Sequence, residues 1–122
     1  MTPVTLLVPY PPSANRLWRH GRGRTFKSSD YTAWLVEGAQ MLKKQSFTRF
    51  SVPVRVDMAV GIPRRLDGSF SVRKTDLDNR IKPTLDLLQS SGVLEDDSLV
   101  HHLDVRWSRD VVGIQVDIEV LT

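Results

Sequence analysis

The chain has 122 residues, no cysteine, 17 Lys/Arg and 14 Asp/Glu, for a formal net charge of +3. That length suits one ordinary domain over 1–122 with a single core, and the absence of cysteine excludes a disulfide framework and a thiolate metal site. No apolar run approaches the roughly 20 residues of a membrane helix, and the first residues lack a basic-then-apolar secretory pattern, so the expected location is the cytoplasm.

In chain order, Val4–Val8 is apolar and β-branched and predicts a short strand, stopped by Pro9 and Pro11-Pro12. Residues 13–27 show no apolar period and are expected to be a loop. This stretch carries Arg16, Arg19, Arg22, Arg24 and Lys27, with Trp18 and Phe26 interleaved. Arginine holds phosphates bidentately and aromatic rings stack on unpaired bases. The composition therefore suits nucleic acid, although a solvated basic loop with Trp18 packed on the core would look the same. Ser28 or Ser29 can cap a helix that Asp30 favours electrostatically. Tyr31, Trp34, Leu35, Gly38, Met41 and Leu42 give it a buried stripe fading by about Ser46, with Gly38 expected to lie close to the sheet.

Val52 to Ile62 alternates apolar and polar residues and predicts a half-buried strand. Pro63 to Gly68 is a basic turn with Asp67-Gly68 at its tip, and Phe70 to Lys74 is long enough for one extra short strand. Ile81, Leu85 and Leu88 predict a second helix from about Asp78 to Ser90, stopped by Gly92. Pro83 either distorts the first turn of this helix or marks its regular start. Leu99 to Trp107 and Val112 to Val120 alternate again, and a turn at Ser108-Arg109-Asp110 predicts an antiparallel hairpin of the last two strands. His101 falls on the apolar parity, as a core or interface residue, and His102 faces outward. The expected fold is α+β: a two-layer sandwich of a mixed sheet, ordered strand-helix-strand-helix-strand-strand, with two helices on one face.

Charge is divided along the chain. Residues 1–74 hold 13 Lys/Arg against 4 Asp/Glu, and residues 75–122 hold 4 against 10. A basic surface beside an acidic centre would serve a polyanion and a divalent cation. The acidic part contains Asp76-Leu77-Asp78-Asn79, then Lys82, then Glu95-Asp96-Asp97. Carboxylates at i and i+2 share a face on a strand and not on a helix, which places Asp76 and Asp78 at a strand end where a helix begins. Taken alone, the pair could equally be solvated loop acids with Asp78 as a cap. Asp76, Asp78 and Asp97, with Asp96 as the alternative to Asp97, can offer oxygen ligands to Mg²⁺, for which Mn²⁺ could substitute. Such a metal polarises a scissile phosphate and activates water. Lys82 would add positive charge to the transition state. Asp86, four residues on, either pairs with Lys82 or adds a fourth acid. Neither His101 nor His102 is required for metal-dependent phosphodiester cleavage.

Together these residues resemble the RusA family of Holliday-junction resolvases. The likeness covers nearly the whole chain. It is carried by Pro11-Pro12-Ser13-Ala14-Asn15-Arg16 with Arg19-His20, by Asp76-Leu77-Asp78-Asn79 followed by Lys82, and by Gly92-Val93-Leu94-Glu95-Asp96-Asp97. The resemblance implies a homodimer that binds four-way DNA junctions and makes paired, Mg²⁺-dependent nicks, with no organic cofactor and no membrane partner. It makes Asp76, Asp78 and Asp97 metal-binding catalytic residues and Lys82 a catalytic lysine; Asn79 belongs to the motif. The candidates for DNA contact are Asn15, Arg16, Arg19, His20, Arg22, Arg24 and Lys27, then Arg64, Arg65, Arg73 and Lys74. The chain departs from the family pattern in a longer 63–75 connection and in Thr75, where a basic residue often stands. Two further readings stay open: a cleavage-deficient junction-binding protein of prophage origin, and another metal-dependent phosphohydrolase.

Overall fold

A computed structural model describes residues 3–12, 17–21, 23–69 and 77–121. Four strands form a mixed sheet: β1 (Val4–Val8), β4 (Val54–Gly61), β5 (Val100–Ser108) and β6 (Ile114–Val120), in the spatial order β1-β6-β4-β5. Two helices complete the sandwich, α1 (Ser29–Lys43) and α2 (Ile81–Ser90), in the expected α+β arrangement. Among the described residues no helix is long and apolar enough to cross a membrane.

Strand alternation produces the core directly. The pairing register aligns Val4, Ile118, Val56 and Leu103 in one row across the sheet. Leu6, Val116, Met58 and Val105 form the next, and Val8, Ile114, Val60 and Trp107 the third. The central members of each row are fully buried, because side chains at i and i+2 share a face. Tyr31, Trp34, Gly38 and Leu42 of α1 and Pro83, Thr84, Leu87 and Leu88 of α2 are the buried helical residues. Ile81 and Leu85 of the predicted stripe are only half-buried.

Several expectations are corrected. The last two strands are not paired with each other: β6 runs antiparallel between β1 and β4, and β5 lies parallel to β4 on its other side. The connection from β5 to β6 therefore passes over the end of β4. Gly61 makes that possible, since a Cβ there would collide with the Val111 carbonyl, and Gly61 N–H donates to the Gly113 carbonyl at 2.8 Å. Strand 52–62 is thus the buried centre of the sheet, with Val52 and Pro53 left outside it.

Gly38 does not admit the sheet. A Cβ on it would lie 2.5 Å from Leu87 Cδ2, so the residue sets the approach of α1 to α2. The basic stretch is not all loop, because β2 (Trp18–Gly21) and β3 (Arg24–Lys27) form a separate antiparallel hairpin. It shows no apolar period because all eight of its residues are exposed. His101 is exposed rather than in the core. The β4–β5 register shifts so that Val54 pairs with Val100 and Arg55 with His102, which leaves His101 as the extra residue of a bulge. The short strand expected at 70–74 lies outside the described residues.

Candidate active site

The acidic centre is positioned by two local devices. Pro83 lacks the N–H that a continuous helix would use. The chain accommodates it by entering α2 through a 3₁₀ turn, Leu77–Arg80, so that Pro83 sits in the first turn of the regular helix. Arg80 ends that turn buried, with Nη1 donating to the Pro11 carbonyl at 3.0 Å and the guanidinium 4.6 Å from the Tyr10 ring centroid. A buried cation is costly unless paired. Arg80 accordingly ties the acidic turn to the segment that leads into the basic stretch. Nothing in the residue spacing marks Arg80, because its partners are about seventy positions away.

The second device follows α2. Gly92 takes φ +82°, which lets the Val93 and Leu94 N–H groups both donate back to the Leu88 carbonyl. Val93 and Leu94 are fully buried, and Phe50 pins them by donating to Val93 O and accepting from Glu95 N. The chain then exposes Glu95 and Asp96 and forms a short 3₁₀ turn, Asp97–Leu99, directly before β5. Asp96 caps this turn: its Oδ1 accepts from Ser98 N–H at 2.8 Å, which holds its carboxyl below the usual range. Asp97 N–H donates to Gln89 Oε1 at 3.0 Å, which docks the turn onto α2.

These elements border a cleft of about 580 Å³. Its floor carries Lys82 and Asp86 from α2 and Asp97 from the turn after it. One wall is Tyr31 and Leu35 of α1, and the other is Trp18 and Lys27, which face each other across the β2–β3 hairpin. Lys82 Nζ lies 3.0 Å from Asp86 Oδ1 and 3.6 Å from Asp97 Oδ2. Asp86 Oδ2 accepts from the Tyr31 hydroxyl at 2.6 Å. The Asp86 hydrogen bond raises the Lys82 ammonium above its ordinary value, so the group is charged at neutral pH. Burial, reinforced by Asp86, pushes the Tyr31 hydroxyl up and keeps it protonated. Trp18 is 43% exposed and meets Tyr31 edge-on at 6.1 Å between ring centroids, a flat apolar surface beside the carboxylates.

Lys82 and Asp97 are thus brought together, with Asp86 beside them. Asp78 lies exposed on the 3₁₀ turn that leads into α2 and is not among the described lining residues. Asp76 lies outside the described residues, and no group of three metal-ligating side chains forms among those that are described. Of the expected DNA contacts, Arg19, His20, Arg24 and Lys27 project from the hairpin, all exposed. The hairpin is fastened to α1, because Ser28 N–H donates to the Leu17 carbonyl at 2.8 Å and Ser28 Oγ caps the helix by accepting from Tyr31 N–H. Arg64 and Arg65 are exposed on the 63–69 turn and do not line the cleft. Asn15, Arg16, Arg22, Arg73 and Lys74 lie outside the described residues. His101 and His102 are exposed on β5. Tyr31 and Gln89 are the site residues that sequence reasoning missed; Tyr31 read only as core, and Gln89 carried no signal.

The chain has relatives among known proteins. The family model described as Endodeoxyribonuclease RusA matches residues 9–119. The chain is 33% identical to the crossover junction endodeoxyribonuclease RusA of Escherichia coli strain K12 over 101 residues, 82% of this chain and 78% of that protein. The same identity and coverage hold for the enzyme of Enterobacteria phage 82. The identity is 32% for the enzyme of Shigella sonnei, over the same shares of both chains.

Proposed function

The chain belongs to the RusA endodeoxyribonuclease family, and from that premise we propose that it resolves four-way DNA junctions by metal-dependent phosphodiester cleavage in the cleft holding Lys82 and Asp97. The relatives are named for cleaving crossover junctions. The observation that carries the reading here is one cation and two carboxylates gathered beneath an exposed basic hairpin.

The donor set consists of carboxylate oxygens without thiolate or imidazole, which suits a hard cation such as Mg²⁺. Asp76, Asp78 and Asp97 would hold it. When bound, such an ion polarises the scissile phosphate and supports ionisation of the attacking water. Asp97 is preferred to Asp96 because the Asp96 carboxylate is already committed to its own turn. Lys82, charged and directed at Asp97, adds positive charge where the phosphate gathers negative charge in the transition state. Arg19, Arg24 and Lys27 hold the DNA backbone, joined by Asn15, Arg16, His20, Arg22, Arg64, Arg65, Arg73 and Lys74. Trp18 offers a ring on which a base unstacked at the branch point can lie. A junction presents two equivalent strands, and a two-fold homodimer supplies two equivalent clefts.

The test is a synthetic four-way junction incubated with protein and Mg²⁺, with cut positions mapped on all four strands. Paired cuts in strands of like polarity are expected, and none without divalent metal. Tight junction binding with no nicking in Mg²⁺ or Mn²⁺ would leave a binding protein and end the enzyme reading.

A further inference from the structure

We propose that Asp86, clamped by the Tyr31 hydroxyl, is a positioning residue that sets the Lys82 ammonium at the cleavage site. The proposal rests on the reading of Lys82 as catalytic and extends it to two residues that otherwise look structural.

A Lys–Asp pair at i and i+4 on an exposed helix face is ordinarily a weak, mobile contact. Here a third partner from the protein core changes its character. Tyr31 is fully buried on α1, flanked by Trp34 at 6.2 Å and Trp18 at 6.1 Å between ring centroids. Its hydroxyl emerges at the cleft and donates to Asp86 Oδ2 at 2.6 Å, while Asp86 Oδ1 takes Lys82 Nζ at 3.0 Å. Each carboxylate oxygen is therefore used once, by donors on different helices, so the plane of the carboxylate is set by two bonds. The spacing between those helices is fixed separately, by Gly38 closing on Leu87, the residue next to Asp86.

Lysine carries its charge on a flexible four-carbon stem, and Lys82 is 60% exposed. Asp86 is what restrains the stem, and Asp97 at 3.6 Å lies where the restrained ammonium is aimed. Misplacing a reacting group by about an ångström costs on the order of a hundredfold in rate. A buried tyrosine on the neighbouring helix thus acts on Lys82 through Asp86.

The experiment uses the full chain as Asp86→Asn, Tyr31→Phe, the double variant and Lys82→Ala. Four readouts are taken: single-turnover cleavage of a saturated four-way junction in Mg²⁺, junction Kd in Ca²⁺, Mn²⁺ binding without DNA by electron paramagnetic resonance, and Tm. Asp86→Asn is expected to slow cleavage by about 10- to 100-fold, the range seen when groups that orient a site are removed. Tyr31→Phe should slow it by a smaller factor, and the double variant should be no slower than Asp86→Asn alone, since Tyr31 acts only through Asp86. Junction Kd and Mn²⁺ affinity should stay within about twofold, because neither is a positioning effect on lysine. Full cleavage by Asp86→Asn, or losses that multiply in the double variant, overturns the proposal. Weakened Mn²⁺ binding in Asp86→Asn overturns it too, by making Asp86 a metal ligand. If Lys82→Ala cleaves normally, the catalytic reading of Lys82 falls first; if it is inactive while Asp86→Asn cleaves at the parent rate, only the positioning step falls. Should Tyr31→Phe lose its fold, seen in Tm, Asp86→Asn decides alone.

Discussion

On the helix side of the cleft, Lys82, Asp86 and Tyr31 are tied to one another across two helices whose approach is set by Gly38 against Leu87. On the hairpin side, Arg19, Arg24 and Lys27 stand exposed on strands of four residues that have no core beneath them. The difference matches the two tasks proposed for these groups. Charge stabilisation in a transition state needs groups already in place, since reorganising them raises the barrier. Holding a polyanion needs charge density along a surface, and exposed arginine can follow the backbone without a fixed geometry. The hairpin is nonetheless anchored where it meets the cleft, through Leu17, Ser28 and the Trp18–Tyr31 edge contact. Its base thereby holds one wall of the site.

The largest effect should come from the floor. Asp97→Asn, Asp78→Asn and Asp76→Asn are each expected to abolish cleavage, a loss of at least about a hundredfold, while junction binding in Ca²⁺ stays intact or tightens. Gel-shift and cleavage assays on the same preparations check this, and an Asp97→Asn protein that still cut would remove that residue from the site.

The hairpin should respond in the opposite way. Arg19→Ala or Arg24→Ala should weaken junction binding and reduce the slope of log K against log salt by about one, with cleavage of a saturated junction retained. Titrations at several salt concentrations measure the slope. An unchanged slope would mean that these arginines do not meet phosphate.

Smaller effects bear on the scaffold under the floor. Gly61→Ala should cost about 1–3 kcal/mol, because the added methyl meets backbone at Val111, which has little room to give. Gly38→Ala meets the Leu87 side chain instead and gains helix propensity of about 1 kcal/mol, so its net loss should be smaller than that of Gly61→Ala. Ser28→Ala removes the cap of α1 and should cost about 1 kcal/mol. Chemical denaturation of the three variants ranks them; Ser28→Ala should also leave cleavage unchanged if the hairpin base is held by the Leu17 backbone contact.

Much of this was legible in local pattern. The Ser28 cap, the buried face of α1, the alternation of β4 and β6, the stop at Gly92 and the distorted entry around Pro83 all follow from interactions spanning a few residues. The Asp76–Asp97 pattern named the family, which the comparison bears out over residues 9–119. What local pattern misjudged were pairings between distant residues. The final strands looked like a hairpin because both alternate and a turn joins them, yet β6 lies between β1 and β4 and β5 takes the sheet edge.

His101 shows the same limit on a smaller scale. Its parity was inward, and a register shift against Val54 and Arg55 left it outside. The hairpin β2–β3 escaped notice for the reverse reason: with no buried face, it has no alternation to read.

Sequence alone determined the residue types, the element periods and the acids and lysine proposed for the chemistry, because these depend on side-chain identity and near-neighbour spacing. Only the tertiary structure decided that Tyr31 reaches Asp86 across 55 positions, that Arg80 reaches Pro11 across 69, and that Asp97 rather than Asp96 faces Lys82. Those contacts form only after the helices pack and the sheet is ordered. Their partners are chosen by the shape of the core, which no stretch of the chain contains by itself.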